Sequence, residues 1–265
     1  MFESIKSRIV VRGTLTLQSG LHVGRQPSAD PVGSDLPVVR DRHRRPFVPG
    51  SSLKGVLRQT AERLIRGIGA PACEPFPNGS CLRDIPKERR MLRDSGLPDE
   101  EIDQKIDERI TQGICTTCSV FGSTERGAKL SVRDALWVGE GVARVEVRDG
   151  VGIDRDTGTA APGVKYDFEV VPVGSRFGLE LVLENAEPWE AGLVFVGLAE
   201  IHSGHAMLGG MTSRGLGRVA VGFNSIEEWD ARSILAGSPL HVYGGTPLPA
   251  GAVAADPSRM DPEIG

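Results

Sequence analysis

Aromatic side chains are scarce, at 5% of the 265 residues, with two tyrosines and three tryptophans. No strand-forming stretch concentrates them, which argues against a sheet face that holds RNA by stacking bases on aromatic rings. Long apolar runs are also missing, so no bilayer-spanning segment is expected, and no charged-then-apolar leader stands at the start. The expectation is a cytosolic protein with no membrane partner. The five histidines are scattered and build no Ser/His/Asp set. Neither a paired acid dyad nor a P-loop stands out, and there is no internal repeat or low-complexity tract. The glycine-rich stretch Gly209–Gly217 lies between a helix pattern and a strand pattern, which is the wrong context for a dinucleotide fingerprint.

Charge is present but uneven. The net charge is −4, yet residues 1–69 hold twelve Lys and Arg against five Asp and Glu. A local basic surface on an acidic chain can bind one polyanion in one place, although an ordinary enzyme can show the same asymmetry. The cations concentrate in residues 32–57, VGSDLPVVRDRHRRPFVPGSSLKGVL. Pro46 and Pro49 stop regular structure and Gly50 permits a sharp turn. Ser51 or Ser52 can then cap a helix over residues 51–69, with apolar positions Leu53, Val56, Leu57, Ala61, Leu64, Ile65 and Ile68. A helix start has unpaired N–H groups and a positive dipole end, which suit phosphate. Arg40, Arg42, His43, Arg44, Arg45, Ser51, Ser52, Lys54 and Arg58 are therefore the expected phosphate-backbone site. The competing reading is a solvated basic turn before an ordinary helix.

The order of elements can be read coarsely. Residues 7–17 form a half-buried strand, and strand character returns at Leu130–Val138 and at Phe177–Leu183, where Phe177, Leu179, Leu181 and Leu183 alternate. Residues 188–206 form a second core helix, with Trp189, Leu193, Val196, Leu198 and Ile201 near its apolar side, and Gly217–Phe223 is a last strand. Without insertions the order is strand, helix, strand, strand, helix, strand: an α+β, ferredoxin-like arrangement shared with RNA-recognition-motif domains. The core would be residues 1–69 and 128–225. Residues 70–127 form an insertion with a surface helix at DEEIDQKIDERI, and residues 147–171 form a protruding hairpin around a Gly/Asp/Thr turn. Residues 226–265 are a C-terminal extension that is flexible from residue 244.

All four cysteines, Cys73, Cys81, Cys115 and Cys118, fall in the insertion. Cys115 and Cys118 have zinc-knuckle spacing, while the first pair spans a longer turn. Four thiolates with none elsewhere favour a structural tetrahedral zinc that holds an insertion too small for its own core. A redox pair and unrelated buried thiols are the alternatives.

The strings GLHVG (Gly20–Gly24), GSDLPVVRD (Gly33–Asp41), PFVPGSSLKGVLR (Pro46–Arg58) and GGMTSRGLGRVAV (Gly209–Val221) resemble the signature of the RAMP superfamily. More narrowly, they resemble the backbone subunits of type III CRISPR effector complexes. The likeness spans roughly residues 5 to 225, and CxxCxxFG at Cys115–Gly122 is similar to the branch with a zinc-binding insertion. The resemblance implies a ferredoxin-like fold that binds guide CRISPR RNA, complementary single-stranded target RNA, neighbouring backbone subunits and other subunits of the complex. It makes Ile153–Asp167 a thumb over the guide–target duplex, with Arg155 and Lys165 on phosphates. It also makes Arg214 and Arg218 guide-backbone contacts near the start of the first helix. By the same resemblance Asp35 is the carboxylate required for metal-dependent cleavage of target RNA, using Mg or another divalent cation, with Asp30 a second candidate in the same loop. A loop aspartate forming an Asx-turn is the plainer role for Gly-Ser-Asp. A non-cleaving scaffold of the same complex, a guide-processing ribonuclease and a zinc-ribbon regulator are the rival functions.

Overall fold

The first strand-forming stretch, flanked on both sides by partners from distant parts of the chain, sits inside the main sheet. The computed structural model of the protein describes residues 4–24, 34–74, 79–139 and 143–244. It begins with β1 (Ser7–Leu17), β2 (Phe47–Val48) and α1 (Gly50–Gly67). The insertion carries α2 (Ile85–Asp94), α3 (Asp99–Gly113) and α4 (Thr116–Phe121). There follow β3 (Leu130–Val132), β4 (Ala135–Leu136), the hairpin strands β5 (Glu146–Ile153) and β6 (Ala160–Val170), and β7 (Arg176–Glu184). The chain closes its described part with α5 (Pro188–His202), β8 (Val219–Asp230), α6 (Ala231–Ala236) and β9 (His241–Gly244). The main sheet has the order β3-β7-β1-β8-β9, with every neighbouring pair antiparallel.

Alternation decides which face of that sheet is covered. Val11, Leu15 and Leu17 of β1 and Phe177, Leu179, Leu181 and Leu183 of β7 point into one core. Leu53, Leu57, Ala61 and Ile65 of α1 and Ala191, Val194, Leu198 and Ile201 of α5 cover them. The opposite face carries a ladder of ion pairs: Arg8 with Glu184, and Arg12 with Glu180 and Glu227. Such a face offers charges where an RNA-recognition-motif sheet would offer rings.

Several expectations shift in the folded chain. The helix at 188–206 ends at His202, and its buried face is Ala191, Val194, Leu198 and Ile201, whereas Trp189 is exposed. This helix is apolar nearly all round, so its sequence has little phase to read. Strand 130–138 is split: β3 pairs with β7, but β4 pairs with β2 outside the main sheet. The last strand runs past Phe223 to Asp230, and β9 adds to its edge, so residues 226–244 extend the sheet. The tail expected beyond residue 244 lies outside the described residues. The insertion does have a small core of its own, built by Leu82, Ile85, Ile102, Ile106 and Ile110. The three isoleucines of α3 recur every four residues on one face while its carboxylates point outward, so the helix is half surface and half core. No helix among the described residues is long and apolar enough to cross a membrane.

One feature of the interior had no sequence signal. Lys129 and Glu190 pair at 5% and 2% side-chain exposure, where α4, the approach to β3 and the start of α5 meet. Glu190 also accepts hydrogen bonds from the Ser119 hydroxyl at 3.0 Å and the Glu187 N–H at 2.8 Å. Lys129→Met leaves that carboxylate buried without its cation and is expected to cost about 3–5 kcal/mol in urea unfolding. The double variant Lys129→Met/Glu190→Leu should recover much of this, because neither charge remains to be desolvated.

Candidate functional site

Residues 34–40, from the middle of the basic motif, are joined to the hairpin by one isolated backbone bridge and by carboxylates of β6. Leu36 bridges Phe168 of β6 in parallel, through Leu36 N–H to Asp167 O (3.2 Å) and Glu169 N–H to Leu36 O (3.0 Å). Asp35 is exposed at this seam. Its Oδ2 accepts from Asp167 N–H at 3.0 Å, and its own N–H donates to Asp167 Oδ1 at 2.7 Å. Ser34 Oγ donates to the same Asp167 oxygen at 2.7 Å. Asp35 is therefore bound to a strand 132 residues away, and among the described residues its carboxylate makes no local Asx-turn. The two donors, Ser34 Oγ foremost, hold the Asp167 carboxyl below the usual carboxylate range. Two residues on, Glu169 repeats the clamp, accepting from Val38 N–H at 2.9 Å and from Arg40 at 2.7 Å. Asp30 lies outside the described residues.

The basic turn follows directly. Asp41 Oδ1 accepts from the N–H groups of His43 (2.8 Å) and Arg45 (2.9 Å), and Asp41 Oδ2 pairs with the Arg45 guanidinium. This closes a tight turn in which Arg44 takes a left-handed conformation, φ 60°. Arg40 and Arg45 are each neutralised by an acid, Glu169 and Asp41. Arg42, His43 and Arg44 at the tip are exposed. The turn is thus a local device that pushes two cations and an imidazole into solvent.

The start of α1 differs from expectation. Pro49 is the N-cap residue, and neither Ser51 nor Ser52 makes a side-chain cap. Gly50 N–H instead donates to the carboxylate of Asp134 at 2.8 Å, so an acid of the chain itself meets the positive helix end. Ser51 is exposed and Ser52 half-buried. Lys54 turns inward to Leu130 O at 3.0 Å, and burial together with Arg58 lowers its pKa. Arg58 is held by Glu62, by Gly122 O at 2.9 Å and by Cys118 Sγ at 3.3 Å. Both cations that the spacing assigned to a phosphate site have partners in the interior.

The hairpin pairs Glu146 with Val170 at its base and Ile153 with Ala160 at its tip. The tip turn is closed by Asp154, whose Oδ1 accepts from the N–H groups of Asp156 and Thr157 at 3.0 and 2.8 Å. Arg155 is exposed there, while Lys165 lies 3.5 Å from Asp149. At the base, Phe168 and Val170 pack on Leu216 of the glycine-rich loop. Arg214 of that loop bonds the Tyr166 hydroxyl, and exposed Arg218 lies beside Gly204. Their neighbours include the hairpin and the end of α5. Gly209 and Gly217 both have positive φ, and a Cβ on either would fall within 2.3 Å of a carbonyl oxygen, that of His22 or Leu208. Glycine there lets the loop lie directly on the GLHVG segment. His22 is buried, with Nδ1 2.7 Å from Glu169 O, a packed and hydrogen-bonded role, whereas His202 is exposed at the end of α5 with Nδ1 3.0 Å from Val221 O.

The four cysteines converge, with all Sγ atoms within 4.8 Å of one another. A tetrahedron with Zn–S bonds near 2.3 Å has S···S edges of about 3.8 Å, so the cluster has the right size and donor chemistry for one metal ion. Backbone N–H groups support the sulfurs: Cys73 N–H lies 3.5 Å from Cys115 Sγ and Cys115 N–H 3.4 Å from Cys81 Sγ. Hydrogen bonding from Cys118, with the Cys73 N–H and Thr117, lowers the Cys115 thiol to about 3, whereas burial raises Cys81 to about 11. α1 connects the cluster to the core: Arg58 reaches Cys118, and Arg66 bonds the carbonyls of Ala72 and Cys73 at 3.1 and 3.3 Å.

Of the residues that shape this region, Asp134, Asp167 and Glu169 carry no sequence signal of their contacts. The acidic alternation of β6 was visible, but nothing local could show that its carboxylates receive a segment 130 residues earlier.

The family model for the RAMP superfamily matches residues 14–220. Among curated proteins, three that are each called CRISPR system Cms endoribonuclease Csm3 are similar over most of their length. The protein from Methanocaldococcus jannaschii is 27% identical over 229 residues, covering 82% of this chain and 79% of its own. That from Methanothermobacter thermautotrophicus is 28% identical over 241 residues, with 79% and 82% covered. That from Enterococcus italicus is 26% identical over 243 residues, with 83% and 92% covered.

Proposed function

Because the chain belongs to the RAMP superfamily, we propose that it is a guide-RNA-binding backbone subunit of a type III CRISPR interference complex that cleaves complementary target RNA with a divalent cation. The observation that carries the reading is the seam between residues 34–40 and the hairpin. It puts an exposed carboxylate, Asp35, on the same short segment as the exposed cations Arg42 and Arg44. The endoribonuclease names of the similar proteins support the same reading.

In this reading the order β3-β7-β1-β8, with α1 and α5 on one face, supports a ferredoxin-like core of residues 1–69 and 128–225. Residues 70–127 are the zinc-binding insertion, 147–171 the thumb and 226–265 the C-terminal extension. The four-sulfur cluster is closed, leaving no coordination position for a substrate, so its zinc is structural. The cation for cleavage is Mg or another hard divalent ion, which would neutralise charge on the scissile phosphate. Asp35 would orient its hydration shell or draw the proton from the ribose 2′-OH, and the hairpin would splay the RNA backbone so that this hydroxyl lies in line with its phosphorus. Guide contacts are to phosphate and sugar, leaving sequence choice to base pairing. Partners are guide RNA, single-stranded target RNA, neighbouring copies and other subunits, in the cytosol.

Arg42, His43 and Arg44 carry the guide contact, with Arg155, Lys165, Arg214 and Arg218 as further phosphate contacts. Arg42→Ala/Arg44→Ala should weaken guide binding equally for unrelated guide sequences. The slope of log affinity against log salt should fall by about 0.7 for each phosphate that is no longer neutralised, measured by fluorescence anisotropy over a salt series. The overall function is tested by cleavage of matched target RNA by the assembled complex with Mg²⁺. A non-cleaving scaffold is the second reading, favoured by the bond from Asp167 N–H to Asp35, which gives that carboxylate a structural use.

A further inference from the structure

Asp35 is exposed, although its neighbour Leu36 packs on the Phe168 cluster and Val38 is buried in the core. An aspartate so placed would sample several orientations, and a cleavage site needs one. We infer that Asp167, on the hairpin strand β6, is the positioning residue that fixes Asp35 and makes its placement depend on the seating of the hairpin. This rests on the reading of Asp35 as the cleaving carboxylate.

The contacts are reciprocal and span the two segments. Asp167 Oδ1 takes both Ser34 Oγ and Asp35 N–H at 2.7 Å, which sets the backbone on either side of the Ser34–Asp35 peptide. Asp167 N–H then binds Asp35 Oδ2 at 3.0 Å, which sets the side chain. Among the described residues nothing bonds Asp35 Oδ1, so the oxygen left to face RNA is chosen by the clamp. The adjacent main-chain bonds at Leu36 and the Glu169 clamp on Val38 keep the segment in register with β6, so a shift of β6 carries Asp35 with it.

The donors on Asp167 also lower its pKa, which keeps its oxygens as acceptors. Two donors converge on one oxygen, and Lys165 is the nearby cation on the same strand. Asp149 faces Asp167 across the hairpin but pairs with Lys165, so it does not compete for Ser34 or Asp35. The role assigned to Asp167 needs its acceptor oxygen and not its negative charge. Asparagine, with a carbonyl oxygen in the same place, should therefore substitute for it.

The experiment measures single-turnover cleavage and target affinity for the assembled complex with guide, target RNA and Mg²⁺, in wild type, Asp35→Ala, Asp167→Ala, Asp167→Asn and Ser34→Ala. Misplacing a reacting group by about 1 Å costs up to about a hundredfold. Asp167→Ala should therefore slow cleavage by about ten- to a hundredfold with target affinity within about twofold of wild type. Asp167→Asn should stay within about threefold of the wild-type rate, and Ser34→Ala, which removes one of the two donors, should fall between the two alanine and asparagine results. Wild-type cleavage by Asp167→Ala overturns the inference, as does an Asp167→Asn defect as deep as that of alanine, which would make the charge the active feature. Should Asp167→Ala fail to assemble, Ser34→Ala decides, and no loss of rate there overturns the inference. Wild-type cleavage by Asp35→Ala instead removes the underlying reading, whatever the Asp167 variants do.

Discussion

Asp35→Ala should lower specific cleavage of target RNA by at least about a hundredfold, the scale of a lost acid–base or cation-orienting group, while leaving assembly and target affinity intact. Assembly is expected to survive because Asp35 is exposed and its side chain contributes a single hydrogen bond to the hairpin. The backbone bond from Asp35 N–H to Asp167 and the two main-chain bonds at Leu36 remain in the variant. Asp35→Asn separates the two roles. It keeps an oxygen for Asp167 N–H but removes the charge, so it should cut as poorly as alanine if the carboxylate acts on the RNA. Gel analysis of end-labelled target, with the complex in excess, reads the rate directly. Unchanged cutting in both variants would move the chemistry to Asp30 or to another subunit and leave this chain as a scaffold.

Loss of the metal should be the largest effect on folding. The purified chain is expected to contain one zinc by elemental analysis, and Cys115→Ser to lose it. The small apolar cluster of Leu82, Ile85, Ile102, Ile106 and Ile110 ties α2 to α3, but the cysteines join Cys73, Cys81 and α4 to each other and, through Arg58 and Arg66, to α1. Structural zinc contributes about 10–16 kcal/mol in small domains. If only about 5 kcal/mol of that is felt here, at about 2–4 °C per kcal/mol the midpoint of thermal unfolding falls by at least about 10 °C. Stripping zinc with a chelator should reproduce the change, and restoring zinc should reverse it in wild type but not in the Cys115→Ser chain. A metal-free wild-type chain of equal stability would leave the thiols as core residues only.

Both expectations start from residues that were legible in the sequence, but they differ in what made them so. The CxxC spacing of Cys115 and Cys118 is a local pattern, because two ligands on one turn must be close together. Cys73 and Cys81 are different: only the path of α1 and the packing of α2 against α3 bring them to the second pair. Asp35 could be named from its motif, but its orientation could not, since the group that sets it lies on a strand formed 132 residues later.

The strands β1 and β7, the hairpin and helix α1 were written in the sequence by itself, because a period of two or of nearly four is a property of neighbouring residues. The burial of α5 was not, as a helix apolar on every side can be turned to any phase until a sheet is laid against it. The basic motif shows the same division. Its composition announced a cluster of cations, and the local turn at Asp41 determined that Arg42 and Arg44 would project. Only the tertiary structure decided that Arg40 and Arg45 are neutralised, that Lys54 and Arg58 serve the interior, and that Asp134 occupies the helix end. A charge is free or committed according to what lies within a few ångströms of it, and for this chain those neighbours come from distant segments.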